Sequence, residues 1–169
     1  QAELVVAQVF GERLVTSALQ VAAAIDWAVD NGARILNLSL GLRVPRAVLA
    51  EACVRARAAG VLLCAAAPAR GAPVYPAAFP GMLRVTGDAR CAREEVAALG
   101  AAHADFGAHV RPLDGTLVGA GASMACAHVS GLAARHFVAG GDPASLRAWL
   151  QARARFHGVE DRAGEAAAR

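Results

Sequence analysis

The sequence predicts an α/β domain of three layers, with helices on both faces of a mostly parallel sheet. Three observations predict it. Strand-like and helix-like segments alternate along the chain, as a parallel sheet with crossover helices requires. Val61 to Ala67 (VLLCAAA) is an unbroken apolar run, the pattern of a strand covered on both faces. Apolar residues make up 56% of the 169, and many are alanine, so helices and strands can approach closely. A chain of this length forms one domain with a substantial core.

The elements follow in order. Glu3 to Phe10 (ELVVAQVF) reads as a first strand, so the chain opens in mid-sheet. Ser17 can cap a helix running to about Asp30, with Val21, Ile25 and Ala28 or Val29 as its apolar stripe. Asn31-Gly32 ends it, both residues suiting a left-handed C-terminal conformation. Arg34 to Ser39 is a short β-rich run that stops at Leu40-Gly41. A second helix is expected over Pro45 to Ala59, with proline in its first turn and Gly60 after it. Val61 to Ala67 is the next strand, Pro68 to Pro80 a loop, and Met82 to Thr86 another strand. From Gly87 to Gly119 the pattern weakens, with short strands near Ala104 to Val110 and Thr116 to Val118. A long helix opens at Gly121 and runs to about Ala139. Asp142-Pro143 starts a last one through Ala154, and the tail from Glu160 frays. There is no internal repeat and no linker.

Composition excludes several classes. All 17 basic residues are arginine, the net charge is only +3, and the arginines are scattered without interleaved aromatics. That is not a nucleic-acid surface. No window offers the roughly 18 uninterrupted apolar residues of a membrane span, and no basic region followed by an apolar core suggests a secretory signal. Cys53, Cys64, Cys91 and Cys126 have neither C-x-x-C nor metal-type spacing. They read as free buried thiols, which favours a reducing, cytoplasmic setting; two disulfides are the alternative.

The chemistry concentrates in Gly121 to Gly131, GASMACAHVSG. A serine at a helix start faces free backbone N–H groups and the positive end of the helix dipole. Such an environment suits a nucleophile whose attack creates an oxyanion, because the donors are fixed before the charge develops. Ala122 and Ala125 leave the approach to Ser123 open, while Ala127 and Gly131 allow close packing on a sheet. The competing reading is that Ser123 merely caps the helix.

This stretch resembles the signature of subtilisin-like serine peptidases, Gly-Thr-Ser-Met-Ala-x-x-His-Val-x-Gly around the nucleophile. Gly121, Ser123, Met124, Ala125, His128, Val129 and Gly131 match it; Ala122 replaces Thr, and Cys126-Ala127 the usual Ser-Pro. Three further segments resemble the family in collinear order. They are residues 23–41, ending in Ser39-Leu40-Gly41; residues 61–71 (VLLCAAAPARG); and residues 75–88 (YPAAFPGMLRVTGD). The resemblance covers the chain to about residue 150. It implies a subtilisin-like fold and a polypeptide substrate held by main-chain hydrogen bonds along Ser39, Leu40 and Gly41, which border the P1 pocket. Ala66, Ala67 and Pro68 are implied substrate-binding residues as well. It implies no cofactor, and these residues suggest no metal site.

The chain departs from the family in two respects. The family order is Asp, then His, then Ser, and both partners precede the strand with which this chain begins. Residues 1–169 are therefore expected to be a single peptidase domain lacking its N-terminal part. Asp and His would come from its own preceding segment or from a second chain. His128, about 140° round the helix from Ser123, matches a structural family histidine. His103, His109, His136 and His157 fit no base position. The family's oxyanion loop also reads Gly-Asn, where Pro68-Ala69 stand here. Subtilisin is itself the reference case for that donor: losing it costs about 10²–10³ in turnover. Arg70 is adjacent and can in principle reach over.

Two functions follow. One is a serine endopeptidase of narrow, processing type using Ser123, inactive as this segment alone. The alternative is a pseudoprotease, the fold kept as a peptide-binding or scaffolding module.

Overall fold

A computed structural model describes residues 2–13, 15–112 and 120–160. In chain order the elements are α1 (Ala18–Asp30), β1 (Ile35–Leu38), α2 (Ala47–Ala58), β2 (Leu62–Ala66) and β3 (Leu83–Gly87). They continue with β4 (Val96–Ala98), β5 (Phe106–Ala108), α3 (Ala122–Val138), α4 (Pro143–Ala152) and β6 (Phe156–His157). The strands form one sheet in the order β1-β2-β3-β5-β4-β6, parallel except for the β4–β5 pair. The fold is the expected three-layer α/β/α.

The two faces of β2 explain the layers. Leu63, Ala65 and Ala67 point to one side, into a core shared with Val21 and Ile25 of α1 and with Leu49, Ala52 and Cys53 of α2. Leu62, Cys64 and Ala66 point to the other, against Ala125, Cys126 and Val129 of α3 and Leu146 and Leu150 of α4. Alternate residues thus serve opposite cores, so the run has no polar position. Small side chains on both β2 and α3 let that helix lie close against the sheet; on α3 these are Ala125 and Cys126, while Ala127 and Gly131, expected to pack there, are exposed.

Local chemistry sets the helix ends. Ser17 and Gln20 form a reciprocal capping box at α1, and Asp142 with Ser145 does the same at α4, where Pro143 is the first helical residue. After α1 only Gly32 takes a left-handed conformation (φ +77°); Asn31 does not (φ −92°), and its side chain bonds to the Trp27 carbonyl instead. Helix α2 begins two residues later than expected, beyond Pro45, with Arg46 at its N-cap.

Two expectations need correction. Residues 2–10 form no strand; they lie outside the sheet with Leu4 and Val6 largely exposed. Their apolar alternation is a strand pattern, but a strand exists only through a hydrogen-bonded neighbour. Among the described residues, no ladder reaches them. β4 and β6 are present where the sequence pattern predicts no strand. Val96-Ala97-Ala98 has weak β propensity, and Phe156-His157 pairs in parallel with it, with Arg155 N–H and Gly158 N–H donating to the Val96 and Ala98 carbonyls. The expected strand at Thr116 to Val118 lies outside the described residues.

The sheet's N-terminal end is pinned by Asp105, whose side chain is only 14% exposed and takes Arg84 at 2.6 Å and Arg147 at 3.0 Å. Burial pushes its carboxyl up. The Arg84 guanidinium and backbone N–H, together with Arg147, outweigh that and hold it below the usual carboxylate range.

Candidate active site

The C-terminal ends of β1 and β3 meet the N-terminus of α3. In parallel sheets this end carries the ligand-facing loops, because crossover connections start there. Gly121 is the N-cap of α3, with φ +143°, a value only glycine takes without strain. Its N–H donates to the Val110 carbonyl at 2.9 Å, tying the helix start to the chain beyond β5. Across from it, Gly87 at the end of β3 faces Gly121 and Ala122 so closely that a Cβ would lie 3.5 and 3.6 Å from their backbone atoms.

Ser123 follows as the second residue of α3, half-buried. It does not cap the helix: Gly121 holds that position, and among the described residues no side-chain cap bond is made there. The hydroxyl is therefore not committed to capping, and the uncapped turn keeps its positive end. The Ser123 carbonyl accepts a hydrogen bond from the Ser39 hydroxyl at 3.3 Å, which brings the segment after β1 against the nucleophile position.

Ser39, Leu40 and Gly41 leave the end of β1, and Ala66, Ala67 and Pro68 the end of β2. The two strands pair in parallel through Leu38 and Ala65, so the segments run side by side at the same end of the sheet as Ser123. Ala66 and Ala67 have their methyl groups in the two cores, and the Ala67 N–H is bonded to the Val85 carbonyl at 2.7 Å. Ala69 and Arg70 are exposed in the bend that follows. The loop then returns to the site. Leu42 and Tyr75 exchange backbone hydrogen bonds of 2.7 and 2.8 Å, which places Val74 against Gly41. A Cβ on Gly41 would sit 3.1 Å from two Val74 carbons. Sequence reasoning missed Val74, whose position depends on that return of the loop.

Three of the histidines are bonded to other groups, and the rings of His109 and His128 meet edge-on with centroids 5.1 Å apart. His109 Nδ1 bonds to the Cys91 carbonyl at 2.9 Å, His128 Nε2 approaches the Arg111 carbonyl at 3.4 Å, and His136 Nε2 meets Ser145 Oγ at 2.9 Å. His103 sits in the β4–β5 turn, at the opposite end of the sheet, and His157 on the far edge strand. The thiols are not rival nucleophiles. All four are free and buried; burial pushes Cys53 up to about 11 and Cys91 to about 12. Cys126 is raised well above its ordinary value by the Cys64 thiol, 3.6 Å away, and by burial.

Residues 1–166 match the sequence profile of the subtilase family, peptidase S8. The chain belongs to the subtilase family. As a subtilase it is 34% identical over 142 residues to the M-protease of Shouchella clausii (strain KSM-K16), a match covering 79% of this chain and 37% of that protein. It is 37% identical over 86 residues to Subtilisin Savinase of Lederbergia lenta, covering 50% of this chain and 32% of the other. The chain thus spans only about a third of these curated subtilases. Among solved structures, a mutant of the PatA protease domain superposes with a TM-score of 0.59 at 26% identity. The prenylagaramide maturation protease PagA gives 0.59 at 25%; each match covers 82% of this chain and 58% of the other.

Proposed function

We propose that the whole protein is a serine endopeptidase in which Ser123 is the nucleophile. The observation that carries this reading is the position of Ser123, in the uncapped first turn of α3 and bonded through its carbonyl to the substrate-side segment. In the proposed reaction Ser123 Oγ attacks the scissile carbonyl, and a histidine takes its proton. An aspartate holds that histidine in the required tautomer. Both partners come from chain preceding Gln1 or from a second chain. The Ser123 N–H and the helix dipole stabilise the oxyanion, and water then hydrolyses the acyl-enzyme. Residues 1–169 are read as one peptidase domain without those partner segments. The substrate backbone lies along Ser39, Leu40 and Gly41, opposite Ala66, Ala67 and Pro68.

A fluorophosphonate probe should label the full-length protein at Ser123, and Ser123→Ala should abolish both labelling and peptide cleavage. The 169-residue chain alone should label poorly, because a serine hydroxyl without a base is a weak nucleophile. Strong labelling of the short chain would mean that its base lies within it.

We read the enzyme as a narrow-specificity processing protease, and Val74 supports this. Its side chain lies 3.1 Å from where a Cβ on Gly41 would sit, and in the proposed pocket that bulk beside Gly41 favours small side chains at P1. Val74→Gly should open that pocket and raise kcat/KM for a P1 Phe substrate relative to P1 Ala by about 10–200-fold, the range for a few methylenes in a pocket. Unchanged P1 preference would remove Val74 from the pocket. The methyl of Ala69 at the oxyanion position favours the second reading, a pseudoprotease that binds peptides without cleaving them. An unlabelled full-length protein that still bound peptides would establish it.

A further inference from the structure

The side of the sheet where β1 ends carries a polar chain that the proposed reaction does not use. Ser130 Oγ donates to Asn37 Oδ1 at 3.2 Å, and Asn37 Nδ2 donates to Ser39 Oγ at 3.2 Å. Ser39 Oγ then donates to the Ser123 carbonyl at 3.3 Å. We propose that Asn37 is a positioning residue for Ser123, acting through the Ser39 hydroxyl, with Ser130 holding the Asn37 amide. The proposal rests on the reading of Ser123 as nucleophile.

The direction of the bonds carries the argument. A serine hydroxyl has one proton and two lone pairs. Asn37 Nδ2 occupies a lone pair on Ser39 Oγ, which leaves the Ser39 proton to the Ser123 carbonyl, with the buried Cys126 thiol as its other neighbour. Reversing the amide would present an oxygen to Ser39 and draw that proton to itself, leaving the Ser123 carbonyl without this donor. Ser130, two helical turns beyond Ser123 on the same face of α3, bonds to the other end of the amide and holds the Asn37 side chain against the helix. The helix is thereby tied to β1 at both ends of the chain of bonds, at residues 123 and 130. Ser39 also begins the segment proposed to hold the substrate backbone. One residue thus fixes the nucleophile's peptide group relative to the substrate strand.

Asn37 and Ser39 are exposed in this chain, so these bonds add little to stability; their effect is on geometry. One neutral hydrogen bond is worth about 0.5–1.5 kcal/mol, up to roughly tenfold in rate. In the full-length protein, Asn37→Leu and Ser39→Ala should each lower kcat and the fluorophosphonate labelling rate by about tenfold, with KM within about twofold. Ser130→Ala should cost about threefold. Because the residues act in series, Asn37→Leu combined with Ser39→Ala should be no worse than either alone. Multiplication of their effects, towards about 100-fold, would overturn the proposal. So would unchanged labelling in both variants. The Ser123 carbonyl ¹³C resonance of the same full-length protein supplies a readout independent of catalysis, and it should move in both Asn37→Leu and Ser130→Ala. If the wild type does not label but the resonance moves, the protease reading fails and the network stands. A resonance that stays fixed overturns the network whether or not the protein labels.

Discussion

Placing a side-chain amide at position 69 should raise kcat of the full-length protein by about 10², or roughly 2.7 kcal/mol of transition-state stabilisation. The proposed hole has the Ser123 N–H on one side. The bend after β2 offers only a methyl at Ala69, the position where the family resemblance implies an asparagine. The Ala67 N–H is locked to Val85 in the sheet, and Ala69 is exposed in the bend that follows Pro68. Proline fixes its own φ and restrains the residue before it, so Pro68→Gly with Ala69→Asn is the double variant that lets the new amide aim freely. KM should change little, because the donor acts on the charged intermediate more than on bound substrate. If Arg70 already supplies the charge, Arg70→Ala should be the damaging change and Ala69→Asn should gain nothing. No response to either substitution would remove this bend from the oxyanion site and bring the pseudoprotease reading forward.

What the sequence made legible was local. Ser17 with Gln20 and Asp142 before Pro143 mark their helices through contacts three residues apart, and both caps stand at the expected positions. The β2 run names a strand covered on two faces because every position is apolar. Residues 2–10 carry an equally good alternation and form no strand, since pattern alone cannot provide the neighbour that a ladder needs. β4 and β6 were invisible for the converse reason: tertiary pairing makes them, with little help from propensity. At the site, the motif drew attention to Ser123, but not to Gly121 as the N-cap that leaves its hydroxyl uncommitted to capping. The bond from Ser130 to Asn37 spans 93 residues of sequence. A serine in a helix and an asparagine in a strand give no local sign of meeting, although Asn37 is one of only two asparagines in the chain.

Gly87→Val should both destabilise the domain and stop Ser123 from reacting, because Gly87 is where the sheet supports the start of α3. A Cβ there would lie 2.7 Å from Val110 Cγ1, which must move, and 3.5 and 3.6 Å from the backbone of Gly121 and Ala122. The Cβ of alanine needs only the Val110 side chain to turn aside. Valine adds two methyl groups, and the space beyond is the backbone that sets the N-cap. Overpacking of this kind costs about 1–3 kcal/mol, and a domain of this size loses about 2–4 °C in Tm per kcal/mol. A drop of roughly 2–12 °C is therefore expected for Gly87→Val, with a smaller one for Gly87→Ala. Labelling of Ser123 should fall further than the lost stability explains, since the displaced residues are the two before it. Gly131→Ala is the contrasting variant on the same helix. Nothing lies within 4 Å of its Cβ position, so it should raise stability by about 0.4–1 kcal/mol and leave labelling unchanged. If Gly87→Val kept both its Tm and its labelling rate, β3 would not be what holds the N-terminus of α3 in place.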